Sequence, residues 1–314
     1  LPIVDWLRRL PAIINRQSPI GNPSMSDKRK ILVQLDTDPQ PSVFDRVVAV
    51  DSGVDFLFTH HGVKADQVQA LVHGAIFTRG AKDLKSTAVF VGGSDVLAGE
   101  AVLHAVRKSF VPQYGLTVSV MLDSNGSNTT AAAAVRAASK HMDVGQAKAL
   151  VLGGTGPVGQ RVSRLLARQG ADVRIGSRSV ERAQAVAGAI KQALPNAKVE
   201  AAGATSAADG PKAIEDRDLI VAAGAAGAML LPAKTRAAAK NLRVMIDLNA
   251  VPPAGIEGVE VTDKAVTRDG VVCYGAIGVG DTKMKIHRSA IAQLFERNNL
   301  VLDAEEIYDL ALRL

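Results

Sequence analysis

Short apolar runs alternate along the chain with longer stretches in which apolar residues recur every three or four positions. The runs at 31–35, 54–58, 87–91 and 117–122 read as strands. The stretches at 42–51, 65–77 and 95–110 carry helical spacing, with Val68, Leu71, Val72 and Ile76 on one face. A helix over 128–141 follows and ends near Gly145. Strand then helix, repeated, implies a parallel sheet, because parallel neighbours need a crossover connection. A second series begins at Lys148, with strands at 149–152, 172–176, 198–201, 219–223, 244–248 and 271–274. Helices are expected at 157–169 and at 180–194, the latter stopped by Pro195, and Pro232 suits the first turn of another. Two amphipathic helices, 282–295 and 304–312, close the chain and are expected to pack back on the first unit. The pattern therefore predicts an α/β protein of two domains, each with a parallel sheet, over residues 25–144 and 145–280.

Composition narrows this. A chain of 314 residues accommodates two domains of roughly 150 each. Hydrophobic residues make up 47% but aromatics only 4%, and the small residues in their place let helices lie close on a sheet. The formal charge of +6 is dispersed and lacks interleaved aromatics, which excludes a nucleic-acid surface and favours a polyanionic small ligand. Cys273 is the one cysteine, so no intramolecular disulfide and no cysteine zinc site can form, and a reducing cytoplasm is the expected compartment. No apolar run approaches the ~20 residues of a membrane span. Residues 1–24 hold the one tryptophan, Trp6, beside Arg8 and Arg9, and break the pattern; they read as an arm or extension, with the core starting near Met25. Neighbouring strand residues point to opposite faces, so His60-His61 does not make a metal site, and none is expected elsewhere.

The most specific local pattern is Gly154-Thr155-Gly156-Pro157-Val158-Gly159, between the apolar run Leu150-Val151-Leu152 and a helix carrying Val162, Leu165 and Leu166. Strand, glycine turn and helix together are the dinucleotide-binding context of a Rossmann unit. Gly154 permits the turn, Gly156 admits a pyrophosphate to the backbone, and Gly159 lets helix pack on strand. The next strand ends at Ser177-Arg178, where an acidic residue would favour NAD. A hydroxyl and a guanidinium suit a 2′-phosphate instead, with Arg182 one turn on, so NADP is the expected cofactor. Ala223 and Gly224, at the end of a further strand, leave room for ribose and nicotinamide, and Asn249 or Asp247 ends another strand at the same edge.

Across the expected cleft, Asp123-Ser124-Asn125-Gly126-Ser127-Asn128-Thr129-Thr130 follows a buried strand. One of Ser127 or Asn128 suffices to cap the helix, so the surplus (Asp123, Asn125 and Thr129 with them) reads as a ligand surface. Gly92-Gly93 makes an equivalent strand-to-helix turn, placing Gly93 at the same edge. The glycine-rich stretch 275–280, before Lys283, reads as a hinge between the domains.

These blocks, with Asp36-Thr37-Asp38, Pro41-Ser42-Val43-Phe44-Asp45, Val89-Phe90-Val91-Gly92-Gly93 and Asp303-Ala304-Glu305-Glu306-Ile307-Tyr308, resemble a known family. It is the NADP-dependent methylene-tetrahydromethanopterin dehydrogenases of methylotrophic bacteria, which also accept methylene-tetrahydrofolate. The likeness runs from about Lys30 to the C-terminus. It implies a pterin-binding domain before the NADP domain, an active-site cleft between them, and oxidation of methylene to methenyl, a step in formaldehyde oxidation. It also implies Thr130 and Lys283 as the catalytic residues at the pterin site, and a homo-oligomer, with a trimer among the implied forms. Two other readings fit the residues alone. One is a Rossmann oxidoreductase acting on a shikimate-like alcohol, which needs a base, commonly a Lys–Asp pair; the other is a catalytically silent NADP-binding module.

Overall fold

The computed structural model of the chain describes residues 28–204 and 209–314, so the expected arm at 1–24 lies outside the described residues. Strands β1 (Ile31–Asp36), β2 (Phe56–His60), β3 (Thr87–Gly92) and β4 (Ser119–Leu122) alternate with helices α1 (Val43–Asp51), α2 (Val68–Ile76), α3 (Val96–Lys108) and α4 (Ser127–Ser139). The second series is β5 (Lys148–Leu152), α5 (Pro157–Gln169), β6 (Asp172–Ser177), α6 (Val180–Ala193), β7 (Lys198–Gly203), α7 (Asp209–Ile214), β8 (Leu219–Ala222), α8 (Ala233–Arg236), β9 (Val244–Asp247), β10 (Lys264–Arg268) and β11 (Val271–Tyr274). The chain then returns through α9 (Ala276–Gln293), β12 (Val301–Leu302) and α10 (Ala304–Ala311).

Two sheets result. The first has the order β12-β4-β3-β1-β2 and is parallel throughout. The second has the order β10-β11-β9-β8-β5-β6-β7. Its six parallel strands follow the Rossmann order, and β10 alone runs antiparallel, as a hairpin with β11. Each sheet reverses its winding once, between β1 and β3 in the first and between β5 and β8 in the second. In open sheets of this kind ligands bind at the carboxyl ends of the strands beside such a reversal.

Helices cover both faces of the central strands, so all of β3, β8 and β9 is buried, and their polar residues Thr87 and Asp247 stand at strand ends. Helix α4 joins the sheets. Ala131, Ala132, Ala133 and Ala134 are all buried, and these small side chains let α5, α9 and α10 pack around it. One apolar core accordingly runs from Leu32, Phe90 and Met121, through α4, to Val151, Ile175 and Val221.

The expected hinge at 275–280 is not a loop. Gly275 is the N-cap of α9, and the following glycines lie within the helix. A Cβ at Gly278 would fall 1.8 Å from the carbonyl oxygen of Asp263, so close packing against the Asp263–Lys264 backbone accounts for this glycine. Strand β2 begins two residues later than the apolar run, since Val54 is already buried in the core ahead of it and the N–H of Phe56 donates to the carbonyl of Lys30. Strand β10 escaped the hydrophobic pattern because its side chains are mostly exposed, and β12 because only two residues pair.

Candidate functional site

The turn after β5 is built from backbone contacts that admit no side chain. Gly153 has φ +69°, and a Cβ there would fall 2.6 Å from the backbone nitrogen of Gly224. Gly156 is the N-cap of α5 and Pro157 its first residue, so the free N–H groups of the first helical turn face outward at the positive end of the helix. In front of them lies a cavity of about 730 Å³. Thr155, Gly156, Pro157 and Val158 form its floor, Ala223 and Gly224 one wall, and Ser177, Arg178 and Arg182 one end. Gly154 and Gly159 do not line it: Gly154 packs against Val151 and Ile175 of β5 and β6, and Gly159 against the backbone of Gly153 and Gly154. The Ser177 hydroxyl lies 3.3 Å from that of Thr155 and accepts the N–H of Ser179 at 3.2 Å.

Asn249, expected to touch the cofactor, has a different place. Its side-chain oxygen accepts the N–H groups of Gly227 (3.3 Å) and Val251 (3.0 Å), and its amide donates to the carbonyl of Pro253 (3.0 Å). Asn249 does not line the cavity; its side chain ties together the Gly227 and Val251–Pro253 loops beside it. Asp247 supports it: its buried carboxylate accepts the N–H groups of Asn249 and Ile256, and burial holds the carboxyl above its usual range.

A second cavity, of about 300 Å³, lies at the winding reversal of the first sheet. Its walls include Asp38, Phe44, Asp45, Gly93, Asn125 and Lys283. Gly93 has φ +104°, and a Cβ there would meet the Thr37 hydroxyl at 2.0 Å. Asn125 lines both cavities, so they adjoin. The Lys283 ammonium lies 5.4 Å from the centroid of the Phe44 ring, and 2.6 Å from where a Cβ on Gly126 would be. The Thr130 hydroxyl donates to the carbonyl of Gly126 at 2.6 Å. Lys283 and Thr130, on α9 and α4, thus meet at the Asn125–Gly126 turn.

The rest of the polar block lies inside the protein. Asp123, Ser127, Asn128 and Thr129 are all buried. The Asp123 carboxylate accepts the N–H groups of Asn128 (2.9 Å) and Thr129 (3.0 Å) and the Thr129 hydroxyl (2.6 Å), doing the capping expected of Ser127 or Asn128. The Ser127 hydroxyl donates to the carbonyl of Ser124. The Asn128 amide donates to the carbonyl of Leu122 (2.7 Å) and to Asp303 (2.9 Å), and its oxygen accepts from Arg161. Arg161, itself buried on α5, also pairs with Glu100 at 2.9 Å. Asn128 thereby fastens α4 to α5 and α10, while Asp123, Ser127 and Thr129 close the turn at the start of α4; the polar atoms of all four are turned inward.

Two titratable groups here were given no role by the sequence. Asp45 is pushed up to about 7, first by burial and then by the neighbouring Asp123. Ser42 and Lys283 pull it down. His287 is fully buried and stacks on Phe90, with neither ring nitrogen hydrogen-bonded. Burial, against the pull of Asp123, holds it below its usual range, hence neutral near pH 7. Among the described residues no three His, Cys, Asp or Glu side chains gather as metal ligands would, and no helix is long and apolar enough to cross a membrane.

Comparison with known proteins follows the same division. The family model for the methylene-tetrahydromethanopterin dehydrogenase N-terminal domain matches residues 43–125, and that for shikimate/quinate 5-dehydrogenase matches residues 136–266. The Bifunctional protein MdtA of Methylorubrum extorquens is 45% identical over 285 residues, covering 90% of this chain and 98% of that protein. The NAD(P)-dependent methylenetetrahydromethanopterin dehydrogenase of the same organism is 31% identical, covering 91% and 99%. Among solved structures, the shikimate 5-dehydrogenase of Listeria monocytogenes, in complex with shikimate and NAD, shares the fold at a TM-score of 0.52 and 14% identity over 90% of this chain and 96% of that one. With two relatives above 30% identity along nearly their whole length, the chain belongs to the methylene-tetrahydromethanopterin dehydrogenase family.

Proposed function

We propose that this protein transfers hydride from the methylene carbon of methylene-tetrahydromethanopterin, or of methylene-tetrahydrofolate, to NADP, leaving the methenyl form. The observation that carries this reading is the pair of cavities, one at the winding reversal of each sheet, that share Asn125. The larger is assigned to NADP within the unit 145–280. The smaller is assigned to the pterin, within the unit 25–144 together with 281–314. The relatives' names supply the substrate class.

Bound NADP supplies the hydride acceptor; the chain's own work is to hold, orient and exclude water. The reacting carbon bridges two nitrogens, whose lone pairs stabilise the cation left by hydride departure. No proton leaves that carbon, so no protein base is needed there. Thr130 sets the Asn125–Gly126 turn, and Lys283 and Phe44 present a cationic edge and an aromatic face to the pterin. Holding two rings at reacting distance contributes about 7–11 kcal/mol to lowering the barrier.

The cofactor assignment has its own test. Arg178 and Ser177 stand where an acidic residue would serve NAD. Losing a charge-assisted bond costs about 1.5–3 kcal/mol. Arg178→Ala should therefore weaken NADP roughly 10- to 100-fold while leaving NAD nearly unchanged. Parallel titrations with both cofactors measure this, and equal losses would contradict the assignment.

We place the enzyme in the cytoplasm, where NADP and reduced Cys273 coexist, and we propose a homo-oligomer. Val43, Val47 and Val50 form one exposed stripe on α1, 54–65% accessible, and Phe56 and Phe58 are 51% accessible on the edge strand β2. An exposed apolar helix stripe beside an exposed apolar sheet edge is what a second copy of the chain would cover. Sedimentation equilibrium reads the mass directly, and a monomer at micromolar concentration would contradict this.

A further inference from the structure

We propose that Asp45 is a catalytic carboxylate, the counter-charge that the methenyl cation meets as hydride leaves the substrate. The proposal rests on the reading above and deepens it. The balance is simple: the C–H electron pair departs with the hydride to NADP, the methylene carbon is oxidised, and the substrate gains one positive charge. A fixed negative charge on the wall stabilises that product more than the neutral substrate, and interactions of this differential kind lower the barrier.

The carboxylates around the pterin cavity have distinct roles. Asp36, at the end of β1, accepts the N–H groups of Asp38 (2.9 Å) and Ser42 (3.2 Å) and the Gln34 amide (3.1 Å). Asp123 caps α4, as described. Asp38 accepts the N–H (2.9 Å) and hydroxyl (2.8 Å) of Ser94, closing the Gly93 turn. Each therefore serves the backbone around the cavity. Asp45, on the first turn of α1, lines the cavity beside Phe44, and only Ser42 and Lys283 favour its ionised form. Burial, Asp123 and Asp36 all oppose that form. From α9 the facing groups are Lys283, whose ammonium sits over the Phe44 ring, and His287, which burial keeps neutral.

An aspartate in this setting costs stability. A carboxyl raised from its ordinary range to about 7 favours the folded state below pH ~4 and loses that contribution as pH rises through 7. At pH 8 the ionised group opposes folding. A residue that burdens the fold where the enzyme works, on the wall of a ligand cavity, is a functional candidate.

The test is Asp45→Asn in the full-length protein. Four readouts are expected. Single-turnover hydride transfer at pH 8 falls on the order of 10- to 100-fold. Affinity for the methenyl cation weakens by a similar factor, while affinity for the methylene form stays within about twofold. The wild-type rate rises with pH through about 7 and the variant's rate does not. Thermal stability of the variant at pH 8 equals or exceeds that of the wild type. Equal loss of affinity for both pterin forms would overturn the proposal in favour of ground-state recognition. An unchanged rate and pH profile, or a variant less stable than wild type at pH 8, would overturn it as well. A wild-type protein inactive on methylene-pterins would instead refute the proposed function, a failure visible before any variant is made.

Discussion

Gly159→Ala should abolish NADP binding. A Cβ at this position would lie 2.5 Å from the carbonyl oxygen of Gly153, 2.7 Å from the Cα of Gly154 and 3.1 Å from the Gly153 carbonyl carbon. All three are backbone atoms of the turn itself, so no rotamer change relieves the overlap. The helix must back away from the turn, and the N–H groups at its start then lose their aim at the pyrophosphate. The expected loss in NADP affinity is about 100-fold or more, with overpacking costing about 1–3 kcal/mol of stability. Calorimetric titration of the folded variant measures the first and thermal unfolding the second. Gly188 provides a control on the same sheet: it lies inside α6 with nothing within 4 Å of its added Cβ. Gly188→Ala should leave NADP binding unchanged and stabilise the protein by about 0.5–1 kcal/mol through helix propensity. A Gly159→Ala protein that binds NADP as tightly as wild type would contradict the assigned cavity.

Lys283→Ala and Thr130→Ala should each lower turnover while NADP binding stays within about twofold, because neither residue lines the larger cavity. For Lys283 the expected loss is on the order of 100-fold, since its ammonium and the Phe44 ring form one wall of the smaller cavity, proposed to hold the pterin. For Thr130 it is about 10-fold: the hydroxyl acts through the Gly126 carbonyl, and water can replace it in part. Removing Lys283 also removes a charge that pulls Asp45 down. The pH midpoint of the residual activity should therefore move above 7 in Lys283→Ala and stay in place in Thr130→Ala. Steady-state kinetics across pH 6–9 read both effects. A Lys283→Ala enzyme with wild-type turnover, or one that loses NADP affinity, would place this lysine elsewhere in the mechanism.

The NADP side was the more legible half in the sequence. A glycine turn between a buried strand and a helix leaves little freedom, because Gly153 and Gly159 lie so close to neighbouring backbone that a side chain on either would overlap it. Ser177 and Arg178 were legible as cavity residues for a similar local reason: Ser177 ends the second strand of a βαβ unit and Arg178 follows it. The block 123–130 was visibly special but hid its role. Asp303 and Arg161, which bind Asn128, are remote in sequence, and a run of polar residues looks the same whether it faces a ligand or fastens helices together. Residues 275–280 misled in the opposite direction. Glycine disfavours an isolated helix, but here the close approach of α9 to Asp263 demands it, and tertiary packing overrides propensity. Asp45 and Phe44 stood in one of the blocks that carry the resemblance, but their role was hidden, since periodicity does not reveal that the first turn of an ordinary amphipathic helix borders a cavity.

The most direct measurement follows the hydrogen itself. Methylene-pterin carrying deuterium on the methylene carbon is oxidised with NADP in ordinary water, and the reduced cofactor is analysed by mass and by NMR. Direct transfer predicts that one deuterium is delivered to a single face of the nicotinamide C4, with none lost to water and no added metal required. Solvent hydrogen at that position, deuterium on both faces, or no reduction of NADP at all would contradict a chain built to hold the two rings against each other.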